Sequence, residues 1–308
     1  MHIAACIVGF RNPSDIVQCI AALDRSTHHD LSVVICENGG EAAHAALVAA
    51  LPTRLQRGGD VLILSAPDNP GYAAGFNRCV EASSTADGWW LVNPDCEPEP
   101  YALAALLARL AVGDCDAVGG TILLPDDTIQ GYGGRFRPML ARAESIGHGT
   151  AASASPDQAS VESAMNYILG ASILANRRFW TVTGPMRDDY FLYAEEIEWC
   201  VRARAKGLRL GFAPDALIRH NQGSTTGSGE TVARRPWLPV YLDERNKLHV
   251  VRDSWPLYLP VAALMALPLI ALRYGRRGAW PQTRDALAGW WAGLRNERGK
   301  PARLAAPR

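Results

Sequence analysis

The residues Trp89-Trp90-Leu91-Val92-Asn93-Pro94-Asp95 are the most informative part of the sequence about its fold. Its four apolar residues predict a short buried strand, and the Asn-Pro-Asp that follows predicts a turn at the carboxyl end of that strand. In an open sheet of parallel strands, ligands bind at the carboxyl ends of the strands. The polar residues that follow each apolar run are therefore the first candidates for function.

The sequence around this stretch alternates strands with helices. Such alternation predicts an α/β fold of Rossmann-like type, in which helices flank a mainly parallel central sheet. Strands are predicted over residues 3–9, 31–37, 61–65, 89–92 and 117–123, and helices over residues 13–23, 41–51, 72–83 and 98–110.

The middle of the chain is less regular. Residues 147–163 are rich in Ala, Ser, Gly and Pro and predict a mobile loop, and the Gly/Ser/Thr-rich residues 223–229 predict a second one. A strand containing Gly170 is predicted over residues 166–175, a helix over 194–206, and two short strands over 208–212 and 216–220.

Composition narrows the class of protein. The 308 residues are 48% hydrophobic and 20% charged, as in a globular chain of one or two domains. With 31 basic and 31 acidic residues, the chain lacks the basic excess of a general nucleic-acid binder. Its seven cysteines are widely spaced with no C-x-x-C pair, which predicts a reducing compartment. The N-terminus lacks the features of a signal peptide, so a cytoplasmic location is expected.

The C-terminal region, residues 251–308, predicts a helical extension that associates with a membrane surface. Residues 273–308 contain nine basic and two acidic residues. Residues 255–272 carry no charge, but prolines interrupt them, and a helix over 261–272 of about 18 Å is shorter than a ~30 Å hydrocarbon core. Leu287, Trp290, Trp291 and Leu294 share one helical face beside arginines, the composition of an interfacial anchor. Docking of this face on the protein's own core is the alternative.

Acidic or polar residues follow several of the predicted strands. They are Glu37 after the second strand, Asn93 and Asp95 after the fourth, the Glu195-Glu196 pair at a helix start, and His220 after the last strand. Each has a simple structural explanation, such as a turn, an N-cap or a favourable helix dipole. Their occurrence together in one chain favours a functional site.

In this order, the segments resemble family-2 inverting glycosyltransferases of the GT-A fold, in particular the rhamnosyltransferase-like branch. The resemblance covers residues 1–250, which are expected to form the glycosyltransferase domain. The segments that carry it are residues 3–10, CENG (36–39), NPGYAAGFN (69–77), LVNPD (91–95), Gly170-Ala171, DYFLYAEEIEWCVR (189–202), HNQGS (220–224) and RNK (245–247).

The resemblance implies roles for the strand-end residues. Asp95 aligns with the metal-binding acid of the D-x-D motif and His220 with a histidine near the metal, so Mg²⁺ or Mn²⁺ is the expected cofactor. Asn93 stands where the first acid of that motif is usual. Glu196 aligns with the catalytic base, and Glu195 is the reserve candidate.

The resemblance also implies residues that contact the substrates. Glu37 aligns with an acid that reads the donor's base, for which uracil or thymine is plausible and guanine is not excluded. The opening departs from the family, because Gly9-Phe10-Arg11 stands where a Thr-Tyr-Asn-like sequence is common. The expected nucleotide-binding residues are Gly9, Phe10, Arg11, Glu37, Gly71, Asn77 and Asn93, and the acceptor-side residues are Gly170 and Ala171.

The expected activity is metal-assisted single displacement from a dTDP- or UDP-sugar, with dTDP-rhamnose suggested by the branch. The acceptor is a lipid-linked or polysaccharide hydroxyl, and attachment to the inner face of the cell membrane is expected. The alternatives are another nucleotide-binding α/β enzyme, such as a nucleotidyltransferase, and a non-catalytic membrane scaffold. A dinucleotide-binding oxidoreductase is disfavoured, because no G-x-G-x-x-G follows the first strand.

Overall fold

A computed structural model describes residues 1–153, 156–221, 223 and 225–305. Within this part of the chain, nine strands form one sheet and two more form a small hairpin. The strands are β1 (Ile3–Gly9), β2 (Leu31–Glu37), β3 (Val61–Ser65), β4 (Gly88–Val92), β5 (Cys96–Pro98), β6 (Ala117–Leu123), β7 (Ile129–Gly131), β8 (Gly134–Arg137), β9 (Arg142–Ser145), β10 (Ser172–Asn176) and β11 (Leu210–His220).

Helices cover the sheet on both faces, which confirms the α/β class. They are α1 (Pro13–Asp24), α2 (Glu41–Ala50), α3 (Tyr72–Ala82), α4 (Ala102–Ala111), α5 (Gln158–Ala164), α6 (Arg177–Thr183), α7 (Glu195–Ala205), α8 (Trp237–Ser254), α9 (Leu259–Arg273), α10 (Trp280–Leu294) and α11 (Ala302–Ala305).

The large sheet is parallel in its first half and mixed in its second. Its order is β3-β2-β1-β4-β10-β6-β11-β5, with β7 beside β6. The first four strands pair in parallel as predicted, whereas β10 runs antiparallel to both β4 and β6. Successive residues of β4 point to opposite faces, so that Trp89 packs in one buried cluster and Trp90 in the other.

Two predicted elements begin later than the sequence indicated. The helix predicted over residues 98–110 starts at Ala102, because the backbone of Cys96–Pro98 pairs with β11 instead. The strand predicted over 166–175 starts at Ser172. Before it, the Asn166 side chain exchanges two hydrogen bonds with the backbone of Phe136, and Gly170 lies in a turn.

Two other predictions assigned the wrong secondary-structure elements. Residues 147–163 are not all loop, because Asp157 caps α5 by accepting a hydrogen bond from the Ser160 amide at 2.9 Å, and Val161 is buried. Residues 154 and 155 of that predicted loop lie outside the described part. The two short strands predicted over 208–220 are one strand, β11, with an irregularity between Ala213 and Leu217.

The C-terminal helices pack against the rest of the chain. The predicted boundary at residue 250 falls inside α8, and the division into two domains stays a prediction. The stretch Pro256–Arg277 is long and apolar enough to cross a membrane by length and composition, with 28% of its most apolar window buried. The predicted apolar face of α10 is split. Trp290 and Leu294 pack on the core, and Leu287 and Trp291 are exposed.

Candidate active site

The carboxyl ends of β1 and β2 form a cradle around Glu37. Gly9 and Glu37 are paired residues, and a Cβ on Gly9 would lie 2.5 Å from Glu37 Oε2, so only glycine fits there. The Glu37 carboxylate is buried, and its Oε1 accepts hydrogen bonds from the backbone N–H groups of Arg11 and Gly39 at 3.0 and 2.7 Å. The cradle thus fixes the carboxylate where a base-reading residue is expected. Phe10 next to it is exposed.

Asp95 and His220 come together because β5 pairs with the end of β11. In this register His220 stands opposite Cys96, and Asp95 Oδ1 lies 3.2 Å from His220 Nε2. Both side chains are buried. The predicted metal-binding pair is therefore adjacent in the fold, although 125 positions separate the two residues in the sequence.

The donor set at this pair fits a divalent cation. Two ligands about 2.1 Å from one ion, at roughly right angles, lie about 3 Å apart, close to the observed separation of Oδ1 and Nε2. Cys96 Sγ lies in the same cluster, and in the metal-free protein burial raises the pKa of its thiol well above the ordinary range. A carboxylate with an imidazole suits Mn²⁺ better than Mg²⁺, which prefers oxygen ligands.

The loop that precedes Glu195 is held in an unusual conformation. Phe191, Tyr193 and Ala194 all have positive φ, at 70°, 73° and 68°. Such a conformation is costly for residues with side chains, so other contacts must hold it. Asn246 Nδ2 donates to the carbonyls of Tyr190, Leu192 and Tyr193 at 3.0, 2.8 and 2.7 Å, and Arg245 donates to the Tyr190 carbonyl at 2.8 Å.

The two glutamates at the start of α7 lie in different environments. Glu195 is 2% exposed, and its Oε2 has no hydrogen-bond partner among the described residues. Burial raises the pKa of Glu195 well above its ordinary value, and the neighbouring Glu196 raises it further. Burial also raises the pKa of Glu196, to about 7, but this side chain remains partly exposed. Glu196 is therefore the more accessible of the two side chains.

Gly170 lies directly against Glu196. A Cβ at residue 170 would be 3.2 Å from Glu196 Cγ, so the glycine leaves room for the carboxyl group. Ala171 is buried, and its carbonyl accepts a hydrogen bond from the backbone N–H of Asn93 at 3.0 Å. The predicted acceptor-side residues thus connect the Glu196 side chain to the turn that follows β4.

Tyr72, at the start of α3, connects the Glu195-Glu196 pair with the turn that contains Asn93 and Asp95. Its hydroxyl donates to Asn93 Oδ1 at 2.5 Å. Burial raises the pKa of Tyr72 well above its ordinary value, and the nearby carboxyl groups of Glu195, Glu196 and Asp95 raise it further. The charges of all three carboxyl groups therefore act on one phenol, whose hydroxyl contacts the turn that holds Asp95.

Gly71 and Asn77 serve the architecture of the site. Gly71 has a φ of 100°, and a Cβ there would lie 2.4 Å from the Phe191 carbonyl oxygen. Asn77 exchanges two hydrogen bonds with the backbone of Met186. Both residues fasten α3 to the 186–191 segment, and their direct contact with a nucleotide stays a prediction.

The loop at residues 223–229 reaches both sides of the site. Residue 224 within it and residue 222 just before it lie outside the described part of the structure. Thr225 Oγ1 accepts a hydrogen bond from Asn12 Nδ2 at 3.0 Å, and Thr226 Oγ1 accepts one from the Tyr193 hydroxyl at 2.8 Å. These contacts place it between the end of β1 and the loop before Glu195.

Sequence reasoning missed three residues of the site. Tyr72 and Asn246 lie within segments that carried the resemblance, but neither received a role. Gln130 gave no signal at all, and its Oε1 lies 2.7 Å from His220 Nδ1. A polar residue on a three-residue strand has no motif that could have indicated this contact.

Comparison with known proteins agrees with this arrangement. The family model described as "Glycosyl transferase family 2" matches residues 5–163, more than half of the chain. The chain therefore belongs to glycosyl transferase family 2, and it is a glycosyltransferase. It is 25% identical, over 253 residues, to the N-acetylglucosaminyl-diphospho-decaprenol L-rhamnosyltransferase of Mycobacterium tuberculosis. That match covers 74% of this chain and 79% of the relative.

Solved structures show the same fold at low sequence identity. S. aureus TarS 1-349 matches with a TM-score of 0.57 and 9% identity, over 95% of this chain and 81% of that one. The mannosyltransferase PcManGT from Pyrobaculum calidifontis, in complex with GDP-Man and Mn²⁺, matches with a TM-score of 0.55 and 14% identity, over 95% of this chain and 87% of that one. GalNAc-T7 with UDP, GalNAc and Mn²⁺ matches with a TM-score of 0.64 and 13% identity, over 84% of this chain and 49% of that one. These likenesses confirm the GT-A fold.

Proposed function

We propose that this glycosyltransferase transfers L-rhamnose from a thymidine or uridine diphosphate donor to a hydroxyl group of a lipid-linked acceptor. The geometry that carries the proposal is the Asp95–His220 pair, 3.2 Å apart, together with Glu196 beside Gly170, whose neighbour Ala171 accepts a hydrogen bond from the backbone N–H of Asn93. It joins a cation site to a carboxyl group of raised pKa. The Mycobacterium tuberculosis relative, whose name specifies an L-rhamnosyl transfer and a diphospho-decaprenol acceptor, supports the choice of sugar and acceptor.

Glu196 acts as the general base in this reaction. Its carboxylate takes the proton of the acceptor hydroxyl, and the oxygen forms a bond to the anomeric carbon. The bond from that carbon to the diphosphate oxygen breaks, and the nucleoside diphosphate leaves with the electron pair. This single displacement inverts the anomeric configuration. A carboxyl group with a pKa of about 7 is well matched to proton transfer near neutral pH. Glu195 remains the reserve candidate.

The donor lies across the ends of β1, β2 and β4. Glu37 accepts a hydrogen bond from the imide N–H of uracil or thymine, and Asp95 with His220 would hold the divalent cation. When bound there, the cation neutralises charge on the departing diphosphate. Gly170 leaves the acceptor room to approach Glu196.

Nucleotide binding tests the donor side separately from turnover. With Mn²⁺ present, dTDP or UDP should raise the melting temperature, because a ligand that binds only the native state stabilises it. Asp95→Asn should remove the Mn²⁺-dependent part of this rise, and the exposed Asp68→Asn should keep it. Stabilisation by GDP alone would contradict the thymidine or uridine diphosphate donor, and no stabilisation by any nucleotide would contradict the donor site.

The C-terminal helices hold the enzyme on an anionic membrane surface. The apolar residues Val261, Leu264, Met265 and Leu272 are exposed on one face of α9, while Ala262 and Ala266 are buried against the protein. Leu264 is 69% exposed, Leu257 just before the helix is 91% exposed, and Trp280 at the start of α10 is 68% exposed. A helix that packs on the protein along one side and is exposed on the other is suited to lie on a surface.

Basic residues beside this apolar surface favour anionic lipid. Arg276, Arg277 and Arg284 are exposed near the ends of α9 and α10. Each basic side chain close to an anionic membrane adds about 1 kcal/mol of attraction. This attachment places the enzyme at the inner face of the cell membrane, where a lipid-linked acceptor is within reach.

Sedimentation with lipid vesicles tests the attachment. Vesicles containing phosphatidylglycerol should bind the wild-type protein, and the double variant Leu257→Asp with Leu264→Asp should bind at least tenfold less. Val48→Asp is the matched control, because Val48 is an exposed apolar residue on α2. Equal binding of all three proteins would contradict the proposed surface.

A further inference from the structure

The two ring nitrogens of His220 face partners of opposite hydrogen-bonding character. Nδ1 lies 2.7 Å from Gln130 Oε1, an acceptor, so it must carry the proton in that contact. Nε2 lies 3.3 Å from Asn93 Nδ2, a donor, and 3.2 Å from Asp95 Oδ1. A neutral imidazole has one N–H and one lone pair, and its neighbours decide which nitrogen has which.

The orientation of the Asn93 amide supports the same assignment independently. The Tyr72 hydroxyl donates to Asn93 Oδ1 at 2.5 Å, which leaves the NH₂ group of Asn93 facing His220 Nε2. A donor opposite Nε2 requires a lone pair there. Tyr72, Asn93, His220 and Gln130 thus form one hydrogen-bonded chain with a single consistent direction.

We propose that Gln130 is a positioning residue that holds His220 in the Nδ1–H tautomer. The lone pair of Nε2, which accepts from Asn93 Nδ2 in this structure, would then be available beside Asp95 to a divalent cation that displaces this hydrogen bond. This inference rests on the metal role proposed above for Asp95 and His220. Gln130 lies on β7, which pairs with β6 and is separate in sequence from both ligands. Because its side chain is neutral, it orients the ring without adding another negative charge beside Asp95.

The oriented lone pair matters because the alternative tautomer would close the site. With the proton on Nε2, His220 would donate to Asp95 Oδ1 at the observed 3.2 Å and occupy both ligand atoms. Removing the partner that orients a ligating histidine typically costs 10–100-fold in metal affinity or activity. Loss of the Gln130 acceptor should therefore weaken cation binding without removing a ligand.

Nuclear magnetic resonance tests the tautomer directly. Long-range ¹H–¹⁵N spectra of the metal-free protein with ¹⁵N-labelled histidine distinguish the two tautomers, and His220→Gln assigns the signal. We expect the Nδ1–H pattern for His220 in the wild type and a shift toward Nε2–H in Gln130→Leu. An Nε2–H pattern in the wild type would overturn the inference, and this result needs no variant of Gln130 that folds.

Mn²⁺ affinity, measured by electron paramagnetic resonance of the free ion, gives the second readout. Gln130→Leu should weaken binding about tenfold or more, and Gln130→Glu should retain it, since a carboxylate also accepts from Nδ1–H. Gln158→Leu is the matched control, a partly buried glutamine on α5. Unchanged tautomer and affinity in Gln130→Leu would overturn the inference. Both readouts use no donor sugar, so a failed transfer assay is a separate outcome.

Discussion

Glu196→Gln is expected to stabilise the protein at alkaline pH while it abolishes transfer. Burial raises the pKa of Glu196 from 4.5 to about 7, so the native state holds this proton more tightly than the unfolded chain does. Between these two pH values the unfolded chain has lost the proton and the native state has not. The stability of the wild type therefore falls as the pH rises through this window.

The size of the effect follows from the shift. One pKa unit corresponds to about 1.4 kcal/mol, so the full shift sets an upper value of about 3 kcal/mol at pH 8.5, which solvent at this partly exposed carboxyl group reduces. Glutamine cannot ionise and escapes this penalty. The variant should equal the wild type near pH 4.5, gain stability as the pH rises to about 7, and keep a nearly constant advantage from there to pH 8.5.

Urea unfolding from pH 4.5 to 8.5 measures this difference. The exposed Glu81→Gln is the matched control and should show no comparable trend. A variant that is less stable than the wild type at pH 8.5, or a gain that does not change with pH, would refute the link between the burial of Glu196 and its raised pKa.

Three further predictions concern the site and its support. First, the pH profile of kcat should rise through about pH 7 with the ionisation of one group, since the base must be unprotonated; a flat profile between pH 6 and 8 would contradict this. Second, Gly170→Val should lower kcat by about 100-fold with little change in melting temperature, because its side chain displaces the nearby carboxyl group; wild-type turnover would contradict the acceptor-side geometry. Third, Asn246→Ala should lower the free energy of unfolding by about 2 kcal/mol, because the carbonyl groups of Leu192 and Tyr193 lose this donor while that of Tyr190 keeps Arg245. A loss below about 0.5 kcal/mol in urea unfolding would show that the loop is held by other contacts.

The first half of the fold was predictable because its determinants are local. Runs such as Leu31–Glu37 are apolar and β-branched, and turn residues bound them, so strand and loop follow from short stretches of sequence. The helix at Gln158–Ala164 was missed because a loop-like composition hid the cap at Asp157. Glu162 on this helix accepts hydrogen bonds from the Arg109 side chain and from the backbone N–H of Phe212, and both donors are distant in sequence.

The candidate site was predictable only where a side chain can itself bind a metal ion or transfer a proton. Asp95, His220 and the two glutamates have such side chains, and β-strand pairing brings the first two together. Gln130 owes its place to a strand register that no short motif encodes. The excess of basic residues over residues 273–308 was also misleading, because Arg273 and Arg298 form ion pairs with Asp243 and Asp253 within the protein.

Transfer of labelled sugar to a lipid acceptor is the decisive test of the proposed activity. The purified protein is incubated with Mn²⁺, radiolabelled dTDP-L-rhamnose and an N-acetylglucosaminyl-diphospho-polyprenol, and the organic extract is counted. We expect label in the lipid fraction with wild type, none with Glu196→Gln, and no release of dTDP without the acceptor lipid. Undiminished transfer by Glu196→Gln, or absence of transfer from every dTDP- and UDP-sugar tried, would contradict the proposed activity.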